Sequence, residues 1–554
     1  MFRAAKSEIS ITSLQAPSRS WSAKGVSQPA ALYLWATVLA LWSCLLFALY
    51  TEGNGFPAPW HWDEPSKVAQ LSGAAPNFHH PRLLLDATQA VLAFERHPTS
   101  QDIAVAGRYV SAVSAILTVG LLAVLTLLLY GQGASLLVAL MVGLNPLFYG
   151  LAHYMKEDTV HVFGLCLFLL AFALYDRKPD WPRLAALGAA AGVAAAGKYP
   201  GAAMMPIAIG LVVWRGRLQR DATRITAAKA GLVAILAACV FLALDWQIFT
   251  QSDLFRTGLR GSARQAAVGD FGALYRPIYS GFYLKGLFEL CTPVAIAAFV
   301  GYLVLAYRSK SRAKLVERAI ALLPLLYLLV LQASPSKRIR YELPAILLII
   351  TAAAVFIAYL AQRRNRLELR ILAALAVMAI LSSDYVGISA MRTALLNDSR
   401  AEMAGWIRAH LPRNMVIGVA HYTGFIENGS SSPGPADVPT KLVEALPNSG
   451  TVEQLRAAGV THVLLSEMTF ARYFNPSFAV DANDVHEAEE VAQYRVFYRE
   501  LFARAVLVHH VGGAMADGTC FSPELWLFDI RGNADRQQNS DQPREPPTFS
   551  TLQD

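Results

Sequence analysis

Charge is what this chain has least of. Only 16% of its 554 residues are Asp, Glu, Lys or Arg, against 55% hydrophobic. That composition excludes an ordinary soluble protein and leaves a polytopic membrane protein. Cysteine is also scarce: Cys44, Cys166, Cys239, Cys291 and Cys520 show no metal-ligand spacing, and four of the five lie in apolar runs. They read as packing residues, and a disulfide framework is not expected. The central parts of the apolar runs are almost free of ionisable residues, and no repeat relates one half of the chain to the other. An ion-coupled transporter places polar groups and broken helices near the midplane in two related halves. A site at a membrane surface is therefore favoured over a transport path.

The charge that is present is unevenly placed. The net charge of +8 comes mostly from Lys and Arg in short connections between apolar runs, the pattern of cytoplasmic loops and not of a nucleic-acid face. Residues 1–30 are polar and Ser-rich, without a cleavable signal pattern, and read as a disordered cytoplasmic tail. Eleven runs then have the character of transmembrane helices: Leu32–Tyr50, Tyr109–Tyr130, Leu136–Tyr154, Val160–Tyr175, Leu184–Ala196, Ala202–Trp214, Ala227–Trp246, Leu287–Tyr307, Ile320–Leu331, Leu343–Leu360 and Ile371–Ile388. Basic clusters at Arg177–Arg183, Arg215–Arg224, Arg308–Lys314 and Arg363–Arg370 all fall on the inner side of this topology. The membrane region is thus 31–390, with a first outer loop at 51–107 and a second, flexible outer loop at 247–285. Leu83–Phe94 reads as a short amphipathic segment on the outer face. Alternating helix and strand patterns at 395–530 suggest a small outer-face α/β domain, followed by a disordered polar tail at 533–554.

Within the first outer loop, Pro59 to Lys67 carries the adjacent acids Asp63 and Glu64, and the pair His79 and His80 follows. Adjacent histidines seldom chelate together, so a hydrogen-bonding role is preferred to a metal pair; Trp60 and Trp62 read equally as interfacial belt aromatics. Three more stretches reach the same side. Asn145 to Asp158 brings Glu157 and Asp158, which snorkelling charges at a helix end would also explain. Gly192 to Gly201 brings Lys198, either a functional lysine or a surface anchor. Ser334 to Pro344 carries Lys337, Arg338 and Arg340 on the side where cations are disfavoured, an exception that an anionic headgroup would explain.

Taken in order, Asp63 and Glu64, Asn77 to Leu83, Gly107 to Ala112, Asn145 to Phe148 with Asp158, Ala191 to Tyr199 and Arg340 to Pro344 resemble the GT-C superfamily of membrane glycosyltransferases. The likeness is greatest to the branch of protein O-mannosyltransferases and the lipid A aminoarabinose transferase. The resemblance implies the GT-C architecture over about the first 390 residues. It also implies a polyprenyl-phosphate-linked sugar donor and transfer with inversion to a hydroxyl of a glycan, lipid or protein, on the periplasmic face of a bacterial inner membrane. It makes Asp63 the general base, with Glu64 orienting it or touching the sugar. The donor phosphate would fall to His80, Arg82, Lys198, Lys337, Arg338, Arg340 and Tyr341. Arg82 stands where relatives often have a second proline, which leaves His80 and Arg82 as alternatives. Some relatives use a divalent metal, here Mg2+ or Mn2+ on Asp63, Glu157 and Asp158, and others use none. A flippase or transporter of a lipid-linked sugar is the competing reading.

Overall fold

The computed structural model describes residues 29–270, 273–274, 281–309, 314–363, 365–412, 415–420, 422–424, 441–444, 450–475, 478, 485–513 and 521–531. The tails expected before residue 29 and at 533–554, and Cys520, lie outside these residues. The membrane region runs α1 (Pro29–Thr51), α2 (Glu64–Leu71), α3 (Leu83–Val91), α4 (Ser100–Tyr130), α5 (Gln132–Gly143), α6 (Pro146–Ala152), α7 (Glu157–Arg177) and α8 (Trp181–Gly197). It continues with α9 (Met204–Gln219), α10 (Thr223–Leu244), α11 (Ser252–Val268), α12 (Phe282–Leu290), α13 (Pro293–Arg308), α14 (Lys314–Ala333), α15 (Leu343–Ala361) and α16 (Leu367–Leu396).

Every one of the eleven apolar runs is helical, but not every one is a single straight span. Among the described residues, seven helices are long and apolar enough to cross a membrane, and counting the bent pairs α5–α6 (63°) and α12–α13 (105°) as spans gives nine. The other two expected spans, α8 and α9, have 17 and 16 residues, at or below the roughly 17 that a crossing requires. The run at Leu136–Tyr154 breaks because Pro146 disfavours helix at Asn145, whose side chain instead caps α6 by accepting from the Phe148 amide at 3.1 Å. Thr292 and Pro293 break the run at Leu287–Tyr307 in the same way, Thr292 accepting from the Ala295 amide at 3.1 Å.

Small residues let the central helices approach. Gly164 of α7 lies against the Ala194 backbone of α8, and Gly188 and Gly192 of α8 lie against Val233, Ala237 and Val240 of α10. Helix α15, apolar on all sides, is almost wholly buried among its neighbours. The segment expected as a flexible outer loop is helical at α11, which sets Gly258 against the backbone of Asn77 and Phe78; a short hairpin, β1 (Gly269–Asp270) and β2 (Ala273–Leu274), follows.

The C-terminal unit adds α17 (Ser399–His410), β3 (Val416–Val419), β4 (Lys441–Glu444), α18 (Val452–Ala457), β5 (His462–Ser466), α19 (Glu467–Phe474), α20 (Val485–Arg504), β6 (Val506–Val511) and β7 (Leu525–Asp529). The sheet order is β4-β3-β5-β7-β6, parallel across β4, β3 and β5 and antiparallel from β5 to β6. The strands β5 and β7 are buried along their whole length between two apolar cores, one holding Met403 and Ile407 of α17 and the other Phe470 and Tyr498. This unit docks on the first outer loop. The Arg400 guanidinium donates to the Pro59 carbonyl and lies over the Phe56 and Trp60 rings, and Phe521 meets Trp60 and Tyr154 edge-on or tilted.

One buried ion pair fixes that loop to the bundle. Arg108 of α4 has no solvent exposure; it donates to the Glu64 Oε2 at 2.7 Å and to the carbonyls of Asn54, Phe56 and Ala58 at 2.8–2.9 Å. Arg108→Met strands the Glu64 carboxylate and should destabilise the protein by about 3–5 kcal/mol, whereas pairing it with Glu64→Met should recover much of that loss. Thermal unfolding in detergent, read for both variants, checks the pair of outcomes.

Candidate active site

The site grows from the turn ahead of α2. Asp63 occupies the N-cap position of α2, where the positive end of the helix favours a carboxylate, and Pro65 sets the first turn. Although adjacent, the two acids part company. Glu64 is 1% exposed and accepts four hydrogen bonds: from Arg108 at 2.7 and 3.4 Å and from the amides of Trp60 and Met155, both at 3.0 Å. Buried there, it holds the turn that presents Asp63. The Asp63 side chain is 32% exposed, with Oδ2 in the grip of the Lys156 ammonium.

Lys156, at the N-cap of α7, is only 2% exposed and also lies 3.8 Å from Glu157. Burial, the dominant cause, pulls its pKa down to about 8. Glu157 pairs with Lys67 at 3.0 Å and faces His80 Nε2 at 3.8 Å. Asp158 pairs with Lys198 at 2.8 Å and with Arg340 at 3.8 Å. Lys198 and Arg340 share the Tyr341 ring at 4.8 and 5.6 Å, and Arg340 also lies over Trp62. His61 is held well below the ordinary histidine range by burial and then by the surrounding cations Lys156, Arg340, Lys67 and Arg338. Its Nδ1 accepts the Asp63 amide at 3.1 Å. The result is one continuous cluster in which four cations, Lys67, Lys156, Lys198 and Arg340, face three carboxylates, Asp63, Glu157 and Asp158.

His80 reaches the cluster through a backbone reversal. Phe78 has φ +48°, its carbonyl accepts from the Tyr199 hydroxyl at 2.8 Å, and its ring meets Phe255 of α11. Burial lowers the His80 pKa, against the opposing pull of Glu157, so His80 enters as a neutral hydrogen-bonding group and not as a cation. Arg82, Lys337 and Arg338, also expected at the phosphate, have partners of their own. Arg82 turns to Asp86 at 3.5 Å, and its amide donates to Asp245 at 2.6 Å. The Lys337 ammonium caps the C-terminus of α14, donating to the carbonyls of Leu331, Gln332 and Ser334 at 2.6–3.3 Å, above the Tyr283 ring. The Arg338 amide donates to the Tyr283 hydroxyl at 3.2 Å, while its charge reaches His61.

The metal set expected from Asp63, Glu157 and Asp158 is not assembled. Each carboxylate is paired with a protein cation, and no group of three His, Cys, Asp or Glu able to hold a metal occurs among the described residues. Lys156, Lys67 and His61 were not expected in the site. Lys67 follows Asp63 by four residues, the spacing that puts two side chains on one helix face, and Lys156 directly precedes the acid pair.

This architecture has counterparts among solved structures. The fold matches that of ArnT from Cupriavidus metallidurans bound to undecaprenyl phosphate (TM-score 0.53, 14% identity, covering 90% of this chain and 98% of that one). It also matches the archaeal oligosaccharyltransferase AglB from Archaeoglobus fulgidus in complex with an inhibitory peptide and a dolichol-phosphate (TM-score 0.53, 12% identity, 81% of this chain and 71% of that one). The chain therefore shares its fold with these two proteins. Residues 100–246 match the family model described as dolichyl-phosphate-mannose-protein mannosyltransferase. None of the curated protein sequences compared with the chain matches it.

Two measurements probe this packing. Lys337→Met, which removes a helix cap, should lower the melting temperature in detergent. Asp245 gives a pH signature: burial first, with Asp86 adding to it, pushes its carboxyl from 3.8 up to about 7. A group raised in the folded state supports folding below its unfolded pKa and withdraws that support as pH rises through the folded value. Asp245→Asn, which keeps an acceptor for the Arg82 amide, should therefore raise the melting temperature at pH 8 and change it far less at pH 5.

Proposed function

We propose that the protein transfers a sugar from a polyprenyl phosphate to an acceptor hydroxyl, with Asp63 as the general base. The observation that carries this reading is the pairing of a partly exposed carboxylate with a buried cluster in which cations outnumber acids. The structures of matching fold that hold undecaprenyl phosphate and a dolichol-phosphate support a polyprenyl phosphate as the carrier.

In the proposed step the acceptor oxygen attacks the anomeric carbon as the bond from that carbon to the phosphate oxygen breaks. Asp63 takes the hydroxyl proton. The donor is a phosphodiester with one negative charge, and the departing polyprenyl phosphate gains another, so the demand on the leaving side is for fixed positive charge and not for a proton. Arg340 and Lys198, positioned by Asp158 and Tyr341, supply it, and neutral His80 donates or accepts a hydrogen bond nearby. Attack and departure on opposite sides give inversion. The acceptor is a hydroxyl of a glycan, lipid or protein, reached on the side where the C-terminal unit meets Trp60 and Trp62.

We place this chemistry on the periplasmic face of a bacterial inner membrane. Glu157 and Arg177 lie at opposite ends of α7, and the basic connections at Arg215–Arg224 fall at the far end from the site, in keeping with cytoplasmic loops. The test is release of free polyprenyl phosphate by the protein in lipid vesicles, from a panel of polyprenyl-phosphate sugars with a membrane extract as acceptor source. Asp63→Asn should cut release at least about a hundredfold and leave donor binding within a few-fold of wild type. An undiminished rate would remove Asp63 from the base role. No release from any donor, with labelled lipid-linked sugar instead crossing the vesicle bilayer, would replace the transferase with a flippase.

A further inference from the structure

Resting on the transferase reading, we propose that the Lys156 ammonium occupies the place of a divalent metal ion. It would act as the fixed cation that bridges Asp63 of the first outer loop to Glu157 at the head of α7, making transfer independent of added metal.

The position is built for a fixed cation. Lys156 is an extended residue between the turn at Tyr154 and the first turn of α7; its amide donates to the Tyr154 carbonyl at 2.7 Å and its carbonyl accepts from the Ser111 hydroxyl at 3.4 Å. With its backbone held from both sides and its side chain 2% exposed, the ammonium reaches Asp63 Oδ2 and lies 3.8 Å from Glu157 Oε2. These acids come from different loops, 93 and 94 residues apart from Asp63 to Lys156 and Glu157 in the chain, and the lysine is what joins them.

A divalent ion at this point would need several oxygen ligands converging at about 2.0–2.6 Å. One oxygen of each carboxylate is already taken: Glu157 Oε1 by Lys67 at 3.0 Å, Asp158 Oδ1 by Lys198 at 2.8 Å, and Asp63 Oδ2 by Lys156 itself. The Glu157 Oε2 and Asp158 Oδ2 atoms, buried without a hydrogen bond, face cations and not further oxygens: Lys156 and Arg340, each at 3.8 Å. An ammonium does part of a metal's work. It is a point charge with three donors, able to orient Asp63 and to keep two loop carboxylates together without mutual repulsion. It is no Lewis acid, and the charge of the leaving phosphate is left to Arg340 and Lys198. Lys156 is thus a positioning residue, acting on the reaction through Asp63.

Manganese titration of the full-length protein in lipid nanodiscs, followed by the loss of free Mn2+ signal in electron paramagnetic resonance, tests this without any turnover. Its outcome therefore stands whether or not the protein proves to be a transferase. Wild type should bind no stoichiometric Mn2+. Lys156→Ala should bind one equivalent, lost again in the double variant with Asp63→Asn, and Lys156→Arg should behave as wild type. Lys156→Met, closer in volume, serves if the alanine variant does not fold. In the transfer assay, chelator should leave wild type unchanged, while Lys156→Ala should lose about a hundredfold and regain at least about tenfold of it on adding Mn2+, a rescue that a merely structural role would not give. One equivalent of Mn2+ on wild type, abolished by Asp63→Asn, would overturn the proposal. So would indifference to Mn2+ in both the alanine and the methionine variants, because the site would then lack the metal position that the ammonium is said to fill.

Discussion

The buried pair of Glu64 and Arg108 governs much of what surrounds it. An ion withdrawn from water needs a partner and a full set of hydrogen bonds, and here each supplies the other's main need. The remaining donors of Arg108 go to the carbonyls of Asn54, Phe56 and Ala58, and the remaining lone pairs of Glu64 go to the amides of Trp60 and Met155. One contact thereby joins the end of α1, the turn before α2, the length of α4 and the approach to α7. Two groups of the site hang from those anchor points, since Asp63 leaves the same turn and Lys156 follows Met155 directly.

The same constraint explains why two neighbouring acids have opposite surroundings. Glu64 begins α2 and points inward to Arg108; Asp63 sits one residue earlier, at the cap, and points out toward Lys156. A rotation of one residue about a helix start separates a buried anion from a partly exposed one. The second outer stretch repeats the arrangement: Glu157 goes to Lys67 and Lys156, and Asp158 goes to Lys198 and Arg340. Each acid at the membrane edge has its own cations, and the four loops carrying them are held in register by that matching.

This division sets how much was legible in the chain. The apolar runs, the C-terminal helix–strand pattern and the places of Asp63, Asp158, Lys198 and Arg340 at or beside helix ends were readable, because bilayer crossing demands long apolar helices and burial makes any charge there conspicuous. The breaks at Asn145–Pro146 and Thr292–Pro293 were also written locally, in a cap followed by proline, but a hydropathy reading runs through them. The roles of the cations were not legible. Lys337 and Arg340 stand three residues apart in one basic stretch, and only the fold shows that the first reaches back to the end of α14 while the second reaches Asp158 across the bundle. Nor does the sequence around Arg82 announce that Asp245, 163 residues on, accepts from its amide. Sequence spacing gives position along a helix; partners brought from a hundred residues away it does not give.

The surplus of positive charge is the feature that links this packing to the proposed chemistry. Were each cation cancelled by one acid, the cluster would be neutral and indifferent to a phosphate. Four cations against three carboxylates, with His61 kept neutral by burial and by the cations around it, leave a site that gains by accepting one anion. A phosphodiester donor brings one negative charge, and bond cleavage adds another, so attraction grows along the reaction in the sense that favours departure. The same surplus would repel a free divalent ion from the cluster. A lysine between Asp63 and Glu157 and the proposed affinity for an anionic carrier are therefore two expressions of one charge balance, set when α4, α7, α8 and the Arg340 turn close around the first outer loop.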